Sequence, residues 1–306
     1  MNYRPEGCLY KTDINQQHIS SSEGLTEAMN NGTILEARVS VCDSSHDLII
    51  DLPCAKGIIA REEGAVGISE GKTRDIALIS RVNKIVCFKV TELTMNDNGD
   101  LIAILSRKAA QEECLKNYIQ KLIPGDVIEA RVTHLEQFGS FVDIGCGIPS
   151  LIPIDAISVS RISHPSDRFT TGQMIKAIVR SNEDSRICLT HKELLGSWLE
   201  NASGFEAGET VSGIVRSVES YGIFVELAPN LAGLAESREN ISPGMHVSVY
   251  IKAIIPEKMK VKLVIVDICD EHDGPYSLNY RFNGKHIDKW IYSSDLAEKT
   301  IETVFG

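Results

Sequence analysis

No apolar run in this chain is long enough to cross a bilayer, and no two cysteines share the C-x-x-C spacing of a zinc or redox site. The opening MNYRPEGCLY has no apolar stretch of the kind a secretion signal needs. Catalytic signatures are missing as well: there is no HExxH, no GxSxG, no P-loop and no Rossmann glycine pattern. Carboxylate pairs such as Glu62-Glu63 and Glu112-Glu113 lack a partner acid or base. Aromatics are scarce, at 6% of 306 residues. Positive charge is in deficit, with 31 Lys and Arg against 42 Asp and Glu, and the resulting −11 argues against gripping duplex DNA along the whole length. These absences predict a reduced, cytoplasmic, non-enzymatic protein with no cofactor, no metal and no membrane contact. A local basic strip remains compatible with all of them.

Present instead is a repeated pattern. EQFGSFVDIG, residues 136–145, places Phe141 on the same strand face as Asp143, while Val142 and Ile144 take the other. An ionised Asp is rarely buried, so the Asp face is expected to be wet and Phe141 to stand on it. ESYGIFVELAPNLAG, from Glu219, repeats the order: Phe224 shares parity with Glu226, and Val225 and Leu227 point away. Two strands with an aromatic on the acid-bearing face make chance a poor explanation.

The repeat extends outward. PGDVIEARVTHLE corresponds to AGETVSGIVRSVE, TGQMIKAIVR to PGMHVSVYIK, and SRICLTHK to MKVKLVIV. Each unit holds about five short strands with one long connection after the third, a size that points to repeated small barrels. A looser copy begins at NGTILEARVSVCDSSHDLIIDLP and closes with GDLIAILSRK. LSRKAAQEECLKNYIQKLI and LTHKELLGSWLENASGF carry apolar residues at helical spacing. Ser21 or Ser22 can N-cap a helix over SEGLTEAMNNG. Near the C-terminus, Asn283-Gly284 predicts a hairpin, and Asp295 with Glu298 predicts a capping box opening a helix. The resulting division is a tail with a short helix at 1–30, a degenerate first barrel at 31–108 and a helical linker at 109–123. A second barrel follows at 124–192, a helical linker at 193–206, a third barrel at 207–268, and a hairpin plus helix at 269–306.

The aromatic-Gly-x-Phe-Val turn and the closing strand with a basic residue before I-x-L resemble the S1 RNA-binding domain, the repeated unit of the ribosomal protein S1 family. ISHPSDRFTTGQ, LSRKAA and LTHKEL resemble segments of the same family. The resemblance is strong in the second unit, good in the third and loose in the first. It implies an all-β fold of three tandem five-stranded OB barrels joined by short helices, binding single-stranded RNA on one barrel face. Departures are visible. The family's third-strand His is replaced by Pro153 and Glu236, and in the first unit Ile49 stands where Phe141 and Phe224 do, and Ile102 where Arg186 does. That unit resembles members that dock protein.

Exposed rings can stack on any base, and cations hold phosphates. Parity turns Arg186, Lys176 and Arg180 outward in the second unit, and Lys252, Lys260 and Lys262 in the third. Phe138 with Phe141, and Tyr221 with Phe224, are the candidate stacking rings. His164, in the turn SHPSDRF, is a candidate RNA contact and equally a candidate structural residue. Phe141 and Phe224 also fit as core aromatics beneath the long connection, and Trp290 and Tyr292 as a staple onto the third barrel. Charges balance at seven Lys and Arg against eight Asp and Glu over 124–192 and six against six over 207–266, so the excess acid lies elsewhere. The expected partners are single-stranded RNA and, through the first unit, the small ribosomal subunit. The rival expectation is a scaffold whose barrels dock proteins.

Overall fold

The computed structural model describes residues 3–183, 186–269 and 278–306. It divides into two compact units. One takes in the chain up to Leu122 with Glu129–Arg131 and Asp143–Pro149, the other Ile123–Ile128, Val132–Val142 and Ser150–Gly306. Among the described residues no helix is long and apolar enough to cross a membrane.

The first unit opens with helices α1 (Asp13–Ile19) and α2 (Ser22–Asn31). Ser21 caps α2, its side chain accepting from the Gly24 N–H at 3.0 Å, and Gly32 ends it in the left-handed region. Six strands follow: β1 (Leu35–Arg38), β2 (Val41–Cys42), β3 (Leu48–Asp51), β4 (Lys56–Ile59), β5 (Ile85–Met95) and β6 (Leu101–Ser106). They run in the order β1-β5-β6-β4-β3-β2. This is the circular order of a five-stranded barrel whose first strand has broken in two, leaving an open sheet rather than the closed barrel the sequence predicts. Between the two pieces, the Val39 N–H bonds to the Lys84 carbonyl on one side and the Ser40 N–H to the Ile49 carbonyl on the other. Inward positions Leu35, Leu48, Ile50, Ile59, Val86, Phe88 and Leu105 form the core. The insertion between β4 and β5 carries a single helical turn, α3 (Ile76–Ile79), and α4 (Arg107–Asn117) leaves the closing strand under a Ser106 cap.

The N-terminal segment is held down by buried carboxyls. Glu6 pairs with Arg107 at 2.7 Å and Arg81 at 3.5 Å and accepts the Cys87 N–H. Glu36, almost fully buried, accepts the N–H groups of Leu9 and Tyr10 at 2.9 and 2.8 Å. Burial pushes its pKa up to about 7, the backbone donors offsetting only part of the rise. A carboxyl raised in this way keeps a proton when folded that the unfolded chain sheds above about 4.5. Its contribution is therefore fully present at acid pH and is lost as pH rises toward 7. Urea unfolding between pH 5 and 7.5 should show the first unit losing about 1–3 kcal/mol as pH rises. Glu36→Gln should flatten that slope, and an undiminished slope in the variant would exclude Glu36 as its source.

Two closed barrels follow. In the first of these, β7 (Val127–Glu136), β8 (Gly139–Asp143), β9 (Pro149–Pro153), β10 (Met174–Glu183) and β11 (Arg186–Thr190) close in the order β10-β11-β9-β8-β7. The third repeat gives β12 (Thr210–Glu219), β13 (Gly222–Ala228), β14 (Leu231–Ala235), β15 (His246–Ile255) and β16 (Lys260–Cys269), closed as β12-β13-β14-β16-β15. Both barrels carry a parallel pair, Cys188 beside Leu151 and Lys262 beside Leu234. Gly139 and Gly222 occupy equivalent tight turns. A Cβ there would lie 2.4 Å from the Ile152 carbonyl oxygen and 2.6 Å from that of Ala235. The glycine in the repeated motif is thus demanded by the close approach of the neighbouring strand.

Helix α5 (Trp198–Ala202) follows the second barrel with a complete capping box between Ser197 and Glu200. Trp198 buries into a core shared with the third barrel, which also takes in Ile178 and Leu194. Asn230, fully buried in the β13–β14 turn, fastens this joint. It accepts the Val159 N–H and donates to the carbonyls of Lys192 and Gly196.

The C-terminal expectations need correction. No hairpin forms about Asn283-Gly284 and no helix follows Asp295; Tyr276 and Ser277, the start of that hairpin, lie outside the described residues. The chain instead runs as a strap along the second barrel, where the Lys285 carbonyl accepts the Val127 N–H and the Ile287 N–H donates to Gly125. Strands β17 (Lys289–Ile291) and β18 (Glu302–Val304) then pair across 295–301. Burial of Trp290, Tyr292 and Phe305 in the shared core favours this over the local helix signal.

Candidate nucleic-acid interface

In the second and third barrels the same aromatic pair stands at the same place. Phe138 and Phe141 meet edge to face at 5.9 Å, and Tyr221 and Phe224 do so at 6.1 Å. The outer ring of each pair is open, Phe138 at 56% exposure and Tyr221 at 68%, while Phe141 and Phe224 are half-buried beneath them. Each pair therefore presents one free ring braced by a second.

Strand register shows what shares that face. Phe224 lies opposite Leu234, and Leu234 lies beside Lys262 in the parallel pair. Residues in register on neighbouring strands point the same way, so Phe224, Leu234 and Lys262 form one row about 10 Å across. Lys260 is exposed two residues before Lys262 on the same side of β16. In the second barrel, Cys188 takes the place of Lys262, and the exposed Arg186 that of Lys260. Leu234 was not foreseen from sequence, although its alternation with the buried Gly233 and Ala235 was available as a signal.

Arg180 and Lys252 share a feature that sequence alone conceals. Each sits at a β-bulge in the fourth strand of its barrel, where register shifts between Val179 and Ser181 and between Ile251 and Ala253. A bulge re-aims a side chain out of the ladder, and both cations are exposed. Lys252 lies 3.9 Å from Glu236, a loose exposed pair worth little.

Two expectations are corrected. The acid-bearing face is not wet at the acid. Asp143 is buried and accepts the N–H groups of Glu6, Gly145 and Gly147; burial and then the Glu6 charge push its pKa up to about 7. Glu226 is fully buried between Arg168, at 2.5 Å, and Arg216, at 2.8 Å. Lys176 is not on the aromatic face: it lies on β10, its N–H donates to the Tyr280 hydroxyl, its Nζ reaches Asn283 at 3.5 Å, and it lies over the Tyr280 ring at 5.5 Å. The C-terminal strap occupies it. Trp290 and Tyr292 are buried in the core shared with the third barrel, the place the staple reading gave them.

His164 stays half-buried, its Nδ1 accepting the Ser166 N–H at 3.1 Å to close a short turn. That contact satisfies the structural role, and the rest of the ring stays at the surface. The first unit has no aromatic pair at the corresponding site. Val41 lies opposite Ile49, Ile49 opposite Ile58 and Ile58 beside Ile104, so an aliphatic row replaces the ring and the cation. Among the described residues no cluster of His, Cys, Asp and Glu is arranged to hold a metal.

The S1 RNA binding domain family matches residues 121–192, the second barrel with its lead-in. The chain is an S1-domain protein that resembles bS1. Small ribosomal subunit protein bS1 of Staphylococcus aureus (strain COL) is 30% identical over 259 residues, covering 79% of this chain and 63% of that protein. The bS1 of Staphylococcus saprophyticus subsp. saprophyticus is 29% identical over 312 residues, covering 94% and 74%. The chain thus spans just under two thirds of the first of these relatives. Among solved structures, a multidomain protein with nucleic acid binding domains from Streptococcus pneumoniae TIGR4 covers 76% of this chain at 13% identity, with a TM-score of 0.25.

Proposed function

We propose that this S1-domain protein is a non-enzymatic, cytoplasmic RNA-binding factor of translation, binding single-stranded RNA on the second and third barrels. The observation that carries this reading is the aromatic pair repeated in both barrels, with exposed cations on the neighbouring strands. Phe138 and Tyr221 stack on bases, braced by Phe141 and Phe224. Arg186, Lys260 and Lys262 hold phosphates along the same face, and Arg180 and Lys252 reach the strand from their bulges. His164 contributes from the turn beside the third barrel, and Lys176 is set aside because the strap occupies it. Stacking tolerates every base, so sequence preference is weak. The family match and the bS1 relatives support RNA binding and a role in translation.

In the first unit the aliphatic row of Val41, Ile49, Ile58 and Ile104 favours a protein partner, for which the small ribosomal subunit is the candidate suggested by the relatives. The domain division at 31–108, 124–192 and 207–268 is part of the same proposal.

Fluorescence anisotropy of a labelled single-stranded RNA of about a dozen nucleotides, titrated at several salt concentrations, tests the reading. Affinity should fall linearly on a log–log plot, and Lys262→Ala should reduce the slope by about 0.7, the value for one phosphate on a single strand. An absence of binding at low salt would shift the assignment to the protein scaffold.

A further inference from the structure

The long connection of the second barrel does not stay on its own barrel. At one end, the Ser160 N–H donates to the Pro229 carbonyl at 3.2 Å and the Val159 N–H to Asn230 at 3.0 Å. At the other end, Arg168 is buried against Glu226 and Asp167 pairs with Arg216 at 3.3 Å. All four anchoring residues on the far side belong to the third barrel. Glu226 is two positions from Phe224 on β13 and has the same parity, so the anchor lies about 7 Å along the strand from the ring. Arg216 occupies the bulge between Val215 and Ser217, and Ser217 is the register partner of Phe224. The stretch between the two anchors, residues 161–166, is therefore tethered at both ends to the third barrel, next to the strand that carries Phe224.

We infer that the third barrel's RNA site is composite: its floor comes from β13, β14 and β16, and one wall is the second barrel's connection, with Arg161 and His164 as its contacts to the RNA strand. This rests on the stacking face proposed above. The chemistry suits a nucleic-acid backbone. Arg161 is exposed and offers a planar set of N–H donors to phosphate oxygens. His164 accepts the Ser166 N–H at Nδ1, which places the neutral ring's proton on Nε2 and turns a donor outward. Ser163 and Ser166 are exposed in the same turn and brace it, their hydroxyls meeting Asp167 and His164 Nδ1. The Arg168–Glu226 pair fixes the wall to the floor, so the strand meets a preformed edge. The wall belongs by sequence to one repeat and by position to the next.

The test is a double-mutant cycle on the intact chain, using a fluorescein-labelled oligouridylate of about a dozen nucleotides. Arg161→Ala combined with His164→Ala should weaken binding about fivefold in the wild-type background, within the usual range of coupled neighbours. The same pair should have under a twofold effect once Phe224→Ala is present, and its full effect in a Phe141→Ala background. If Phe224→Ala weakens binding but the Arg161/His164 pair has no effect, acts equally in both backgrounds or couples to Phe141 instead, the composite site is wrong and the stacking face survives. If Phe224→Ala itself leaves binding unchanged, the stacking face fails first. All four substituted side chains are exposed or half-buried, and urea unfolding of each variant establishes that it is folded.

Discussion

Glu226→Ala is expected to cost the second unit about 3–5 kcal/mol, because it takes the carboxylate from the fully buried Arg168 guanidinium in a dry interface, while Arg216 keeps Asp167. Arg168 and Glu226 have fully buried side chains, and Arg216 is 9% exposed. Burial, with a smaller push from the Arg216 charge, pulls the Arg168 pKa below its ordinary value, and the Glu226 carboxylate offsets part of that shift. Removing the carboxylate leaves the desolvation cost and deletes what compensates it. Urea unfolding followed by Trp fluorescence reports on this joint, since both Trp198 and Trp290 lie in the shared core. One transition is expected, shifted to lower urea in the variant, because the two barrels bury their joint residues together. A loss below about 1 kcal/mol, or two separated transitions, would show that the barrels are independent. Replacing the pair together, Arg168→Met with Glu226→Leu, should be far milder than the single change, as buried ion pairs replaced by apolar residues usually are.

Phe141→Ala with Phe224→Ala is expected to weaken RNA binding about thirtyfold or more. Stacking is worth roughly 1–3 kcal/mol per base, so losing one ring platform in each barrel removes at least about 2 kcal/mol. Each substitution acts twice, deleting a ring and unbracing the exposed partner, Phe138 or Tyr221, that it meets edge to face. The salt slope should hold steady, because no phosphate contact is lost. That pattern separates ring loss from cation loss, which lowers slope and affinity together. Phe138→Ala with Tyr221→Ala provides a second variant pair at exposed positions, where the fold has little to lose. Wild-type affinity in both double mutants, with folding intact, would mean that the rings serve packing or protein contact.

Much of this was legible in the chain itself. The period-two alternation in GSFVDIG and GIFVELA identified the strands, their inward residues and the repeat, because alternation is set by backbone geometry at each position. Ser21 as a helix cap followed from an equally local signal. The misjudged residues fail for one shared reason. Alternation separates inside from outside the barrel, but it cannot say which outward positions another segment will cover. Asp143 and Glu226 point outward and are nonetheless buried, the first under the N-terminal segment and the second under Arg168, 58 residues away. Lys176 points outward and meets Tyr280, 104 residues further on. The helix signal after Asp295 is local too, and it lost to the burial of Trp290, Tyr292 and Phe305 against a distant core. The sequence by itself thus determined the two closed barrels, the repetition and the rings at the barrel mouths, though not the opening of the first repeat into a sheet. Only the tertiary structure decided which outer faces stay open to a ligand, because burial there depends on chain segments brought together from far apart.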